Sequence, residues 1–199
     1  MVVQIVLASG SAVRARMLEA AAVPFDVIVP RVDEDMIRRS MIADGAGPRD
    51  VADGLAEAKA RKISARFPGA MVIGCDQVAE FQGEILSKPV SPDDAIGQLR
   101  RMRGDRHRLF SAAVVYEAGA PVWRHVGVVR LVMRAFSDAY LQGYVDRNWD
   151  SIRHSVGAYK LEEEGVRLFS RIEGDHFHVL GLPLLELLGY LHLKGVIDS

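Results

Sequence analysis

Short apolar runs alternate along the chain with stretches in which apolar residues return every three or four positions, the mark of strands interleaved with amphipathic helices. Residues 2–8, "VVQIVLA", read as a buried strand, and 12–22 as a helix. A second strand is expected over 25–29. A helix is expected over 49–66, where Val51, Leu55, Ala58 and Ile63 share a face. The next strand, 71–75, is expected to stop at Asp76, and Gln82-Gly83 between "AEF" and "EIL" reads as a hairpin turn. Ser91-Pro92-Asp93-Asp94 supplies a hydroxyl cap, a proline at the first helical position and acids in the first turn, so a helix should run to about Met102. Two β-rich stretches, 108–116 and 122–134, are joined by the Ala118-Gly119-Ala120-Pro121 turn. Ser137-Asp138 opens a helix to about Asn148, and Pro183 opens the last one. With no internal repeat and no clean linker, the expected class is α/β, a mixed sheet with covering helices.

Composition narrows the function classes more than the fold. The chain has 199 residues, 49% of them hydrophobic, and a net charge of −1 with no basic block, which argues against a nucleic-acid partner. No run approaches the roughly 18 apolar residues of a membrane span, so no membrane partner is expected. The single cysteine, Cys75, has no internal disulfide partner, and a cytoplasmic location is expected. A small anionic ligand fits this balance.

The stretch "LASGSAVR" at 7–14 places Ser9-Gly10-Ser11 where a strand hands over to a helix. Backbone N–H groups and the positive end of the helix dipole make that junction an anion site. Ser9 and Ser11 add hydroxyls, and Arg14 can reach back as a two-pronged phosphate ligand. The plainer alternative makes Ser11 a helix cap only. Asp76, taken as the end of an apolar strand, sits where open α/β sheets place their ligands, though turn chemistry alone also explains an aspartate there. Val32-Asp33-Glu34-Asp35 reads as a loop whose hard oxygen donors suit Mg²⁺ or Mn²⁺. Lys59 and Lys88 supply cations.

Taken in order, "LASGSAVR", "VDE" at 32–34, "EAKA" at 57–60, "VIGCDQV" at 72–78, "SKP" at 87–89, "GDRHRLFS" at 104–111, "GAYKLEEEG" at 157–165 and "IEGDHFHVLGLPL" at 172–184 resemble the Maf family of nucleoside triphosphate pyrophosphatases almost end to end. The resemblance implies a Maf/Ham1-like fold similar to the inosine triphosphate pyrophosphatases: one domain, 1–199, with two lobes around a cleft. It implies hydrolysis of a nucleoside triphosphate to monophosphate and pyrophosphate, with Mg²⁺ or Mn²⁺ as cofactor. Ser9, Ser11, Arg14, Lys59, Gln77, Lys88 and Glu162 would hold the substrate and Glu34 with Asp76 the metal, while Asp76 would also orient or deprotonate the attacking water. The substrate is the expected partner, with a homodimer left open.

Departures from the family bear on the base. Ala12-Val13 stands where Pro-Arg or Pro-Trp is frequent, His154-Ser155-Val156 replaces a Lys-Ala-Gly or Cys-Ala-Gly run, and Ser111 replaces a commoner threonine. Gln77 and Glu162 resemble the branch acting on 7-methyl-GTP more than the dTTP and UTP branch, and a carboxylate at 162 suits the donor edge of guanine. His107 and His154 read as structural histidines, His176 and His178 lack the further ligands of a zinc site, and Cys75 reads as inert core. Two rivals stand beside the enzyme: a nucleotide-binding regulator of septum formation that does not hydrolyse, and a phosphatase with Asp33 or Asp35 as nucleophile.

Overall fold

Four consecutive apolar residues, Ile5–Ala8, form β1 in the computed structural model, which describes residues 4–198; positions 2 and 3 of the expected strand lie outside the described residues. β1 is buried on both faces and pairs in parallel with β2 (Asp26–Val27) on one side and β3 (Met71–Phe81) on the other. β2 is shorter than the expected 25–29, although the Ile28 N–H still donates to the Leu7 carbonyl at 3.1 Å. β4 (Glu84–Leu86) returns antiparallel along the end of β3. Its turn, Gln82-Gly83, has positive φ at both residues (52° and 89°), the backbone that a two-residue hairpin requires. With β5 (Arg106–Glu117), β6 (Ala120–Met133) and β7 (Phe169–Glu173) the sheet has seven strands in the order β2-β1-β3-β5-β6-β7, β4 pairing with β3.

Seven helices accompany the sheet among the described residues: α1 (Ala12–Ala20), α2 (Glu34–Ala43), α3 (Pro48–Ser64), α4 (Pro92–Met102), α5 (Asp138–Ile152), α6 (His176–Val179) and α7 (Leu184–Leu193). The hydroxyl caps behave as expected: Ser91 accepts from the Asp94 N–H at 3.1 Å and Ser137 from that of Tyr140 at 3.1 Å. No helix of the described residues is long and apolar enough to cross a membrane. The architecture is mixed α/β, as the apolar pattern anticipated.

Two expectations are corrected. Residues 32–35 are only half loop: Val32 and Asp33 precede the helix, Asp33 capping α2 by accepting the Met36 N–H at 2.9 Å, and Glu34 and Asp35 fill its first turn. α2 has no fully buried residue: of its apolar positions, Ile37 and Met41 are half-buried and Met36 and Ile42 exposed. β3 does not stop at Asp76. Val78, Ala79 and Phe81 continue the buried run, and Asp76-Gln77 is a polar pair inside an eleven-residue strand.

The chain divides into two compact units, the first comprising the described residues up to Gln77, Phe110–Gly127 and those from His176 on. Its core packs Ile5, Leu7, Met71, Ile73, Cys75, Ala113 and Val115 of the strands against Met17, Leu18, Leu184, Leu187 and Leu191 of α1 and α7. These strand positions alternate, so Val6, Ala8, Val72, Gly74 and Asp76 turn to the other face. The second unit, Val78–Leu109 and Val128–Asp175, buries His107. His107 Nε2 meets the Tyr159 hydroxyl at 2.7 Å, beside the rings of Tyr159 and Phe169. Burial pulls its pKa from 6.5 to about 4, against the opposing pull of Glu80 and Asp105.

Because the folded-state pKa is depressed, the unfolded chain binds the extra proton between pH 6.5 and about 4. The stability tied to neutral His107 is therefore complete above pH 6.5 and drains as pH falls through that window, by about 3 kcal/mol at full extent. Urea unfolding of the wild type and of His107→Gln at several pH values should show the two converging in this window. Parallel profiles would mean that His107 takes up its proton as readily in the folded protein as in the unfolded chain.

Candidate active site

β1 ends at Ala8, opposite Gly74 of β3, so Cys75 and Asp76 extend past the carboxyl end of β1 beside the loop that leads into α1. Ser9 is buried in that loop and its Oγ accepts the Ser11 N–H at 3.2 Å. Ser11 is the α1 cap, accepting from the Arg14 N–H at 3.4 Å. Arg14 turns back toward the strands. Its Nε donates to the Gly181 carbonyl at 2.7 Å and its Nη1 to the Cys75 carbonyl at 3.1 Å and Ser9 Oγ at 3.4 Å. Gly181, at φ 93°, permits this approach, since a Cβ there would sit 3.0 Å from Nη2.

On the other face of β3, a Cβ on Gly74 would fall 2.2 Å from the Ala56 carbonyl oxygen and 2.7 Å from the Ala60 nitrogen. Glycine lets α3 lie directly against the strand. That contact brings Lys59 to Asp76, two strand positions further on the same face: Nζ to Oδ1 is 2.5 Å, with both residues under a tenth exposed. Glu34, from the first turn of α2, reaches the same ammonium at 2.9 Å. Burial by itself would pull the Lys59 ammonium down, and Arg14 pulls the same way, but the Asp76 and Glu34 carboxylates outweigh them and hold its pKa above the ordinary value. A buried charge here persists because it is paired.

Glu34 and Asp76 thus aim their oxygens at one cation. That convergence of hard, anionic donors fits Mg²⁺ or Mn²⁺, which take carboxylate and phosphate oxygens. Gln77 points to the opposite face from Asp76, and its Nε2 donates to Ser111 Oγ at 2.9 Å and to the His178 and Val179 carbonyls at 3.0 Å each. Ser111, fully buried, also donates to the His178 carbonyl. The hydroxyl at 111, noted in the sequence only as a replacement for threonine, is therefore a docking point for the 178–179 backbone. Cys75 is fully buried, and burial pushes its thiol up to about 11 although Arg14 and Lys59 oppose it, so the inert reading holds.

Seven of the expected residues, Ser9, Ser11, Arg14, Glu34, Lys59, Asp76 and Gln77, belong to the first unit. Lys88, exposed after β4, and Glu162, exposed before a 3-10 turn at Glu164–Leu168, belong to the second. Asp33 is occupied as a cap and Asp35 pairs with Arg38 at 2.5 Å, which leaves neither placed as a nucleophile. His178 does have further ligand groups nearby, contrary to expectation: Glu186 and His125 gather around it from distant parts of the sequence.

The same order of residues is found in known proteins. A sequence profile described as "Maf-like protein" matches residues 4–193. A protein of Ruegeria pomeroyi named nucleoside triphosphate pyrophosphatase is 67% identical over 199 residues, covering all of both chains. One of the same name from Ruegeria sp. (strain TM1040) is 63% identical over 98% of each chain, and one from Caulobacter vibrioides is 46% identical over 97% of this chain and 96% of its own. Identity at this level, spread across nearly every residue of chains of the same length, goes well beyond the phosphate-side motifs, and the chain belongs to the Maf family.

Proposed function

We propose that the protein is a nucleoside triphosphate pyrophosphatase, converting a nucleoside triphosphate and water to the monophosphate and pyrophosphate, with a leaning to guanine or 7-methylguanine bases or a broad specificity. The observation that carries the reading is the convergence of Lys59, Glu34 and Asp76 on one point in the same unit as the Ser9–Arg14 loop. The names of the relatives from Ruegeria and Caulobacter support it. A divalent ion held by Glu34 and Asp76 would neutralise charge on the triphosphate.

In this reading Ser9, Ser11 and Arg14 bind phosphate oxygens at the start of α1, and Lys59, its charge maintained by the two carboxylates, supplies a cation from the opposite face of β3. Asp76 accepts the proton of the water that attacks the α-phosphorus, while the bond from that phosphorus to the bridging oxygen breaks and pyrophosphate leaves. Gln77 serves as a positioning residue, holding the 178–179 backbone beside the strand that carries Asp76. Lys88 is assigned to the triphosphate and Glu162 to the base by resemblance.

A panel of nucleotides with Mg²⁺ or Mn²⁺, read for pyrophosphate and inorganic phosphate separately, tests each element. Pyrophosphate is expected, released faster from GTP or 7-methyl-GTP than from dTTP or UTP, with Glu162→Gln shrinking the difference. Inorganic phosphate as the first product would favour the aspartyl phosphatase, and nucleotide binding without either product would favour the regulator. A preference for dTTP or UTP of about tenfold, about 1.4 kcal/mol of discrimination, would overturn the base assignment.

A further inference from the structure

His125 of β6, His178 of α6 and Glu186 in the first turn of α7 place one potential ligand atom each within 4.8 Å of one another. His178 Nε2 lies 3.1 Å from Glu186 Oε2, and His125 Nε2 lies 3.6 Å from Oε1 of the same carboxylate. In a tetrahedral zinc centre with bonds of about 2.0–2.1 Å, neighbouring ligand atoms are about 3.3–3.4 Å apart; the two imidazoles stand 3.1 and 3.6 Å from different oxygens of Glu186, so a small rotation of the carboxylate or of His125 would bring all three groups to one ion. His178 is fixed from behind. Its carbonyl is held by Ser111 and Gln77, and its ring lies over Gly127, where a Cβ would fall 2.1 Å from Nδ1. His125 is about a third exposed and stacks beside Trp123, with ring centroids 6.3 Å apart, so it has room to rotate and close the third edge.

A His178–Glu186 hydrogen bond alone would explain one contact. It does not explain why a second imidazole turns its Nε2 to the other oxygen of that carboxylate. We infer that His125, His178 and Glu186 form a binding site for a zinc-type divalent ion, built from residues other than Glu34 and Asp76. Two imidazoles and a carboxylate are a borderline donor set that suits Zn²⁺ over Mg²⁺, and three protein ligands leave a fourth position for water or another small ligand. The ion would join β6 and α7 to the segment whose carbonyls at 178, 179 and 181 receive the hydrogen bonds of Gln77 and Arg14. Loading would steady the backbone that orients Arg14.

The test is metal binding by tag-free protein stripped with a chelator, titrated with Zn²⁺ by calorimetry and with Co²⁺ by visible absorption and by quenching of Trp123 fluorescence. One equivalent of Zn²⁺ and a tetrahedral Co²⁺ spectrum are expected. His125→Ala and Glu186→Gln, both at partly exposed positions, should each weaken Zn²⁺ at least about 100-fold and abolish the spectrum and the quenching. Asp76→Asn, in which Lys59 keeps Glu34 as a partner, should retain all three signals. The inference is overturned by failure of the wild type to bind Zn²⁺, by binding that survives both His125→Ala and Glu186→Gln, or by binding lost in the Asp76→Asn protein.

Discussion

Asp76→Asn is expected to reduce pyrophosphate release by about 10³-fold or more while nucleotide binding persists. The amide keeps the shape of the side chain and removes the anionic oxygen that faces Lys59 and, in the proposed reaction, accepts the proton of the attacking water. General-base catalysis contributes about 10²–10⁴-fold, and loss of a negative ligand for the divalent ion adds to the deficit. The fold should survive, because Lys59 keeps Glu34 as a partner at 2.9 Å, although removing one carboxylate from a buried ammonium will lower the melting temperature. Turnover, nucleotide affinity and thermal unfolding of the same preparation separate these effects. A variant that kept most of its rate would show Asp76 to be a structural partner of Lys59 and nothing more.

Gly74→Ala is expected to damage the site without touching any charged residue. The new methyl would overlap the Ala56 carbonyl at 2.2 Å and the Ala60 nitrogen at 2.7 Å, and backbone atoms cannot rotate aside as a side chain can. α3 must lift from β3, at about 1–3 kcal/mol or more for overpacking. Lys59 precedes Ala60 on that helix, so the shift opens its 2.5 Å contact with Asp76. A displacement of about 1 Å in a positioning residue can cost about 10²-fold in rate, and a fall of that order in kcat/KM is expected. Gly97→Ala makes the control: it lies in α4 with nothing within 4 Å of the added methyl, and should stabilise the helix by about 0.5–1 kcal/mol. If Gly74→Ala melted and turned over like the wild type, the close approach of α3 would not be what sets the Lys59–Asp76 pair.

Much of this fold is written in neighbouring residues. The alternation of strand and helix, the Ser91 and Ser137 caps, the Gln82-Gly83 turn and the Ser9-Gly10-Ser11 junction depend on backbone preferences and local hydrogen bonds, which act over a few positions. The family motifs belong with them, since their order along the chain is enough to identify them. Tertiary structure decided the rest. α2 has no fully buried residue, and its local signals, the Asp33 cap and the half-buried Ile37 and Met41 one turn apart, are easily passed over beside three acids that read as a loop. Asp76-Gln77 looked like a strand end because polar residues usually sit there; burial between α3 on one face and the 178–179 backbone on the other is what keeps β3 extended and sends the two side chains to opposite faces. The grouping of His125, His178 and Glu186 left no trace in spacing, because it exists only where β6, α6 and α7 pack. In both places a side chain's partner is chosen by how closely two backbones approach, and that distance is set by the shape and volume of everything packed between them.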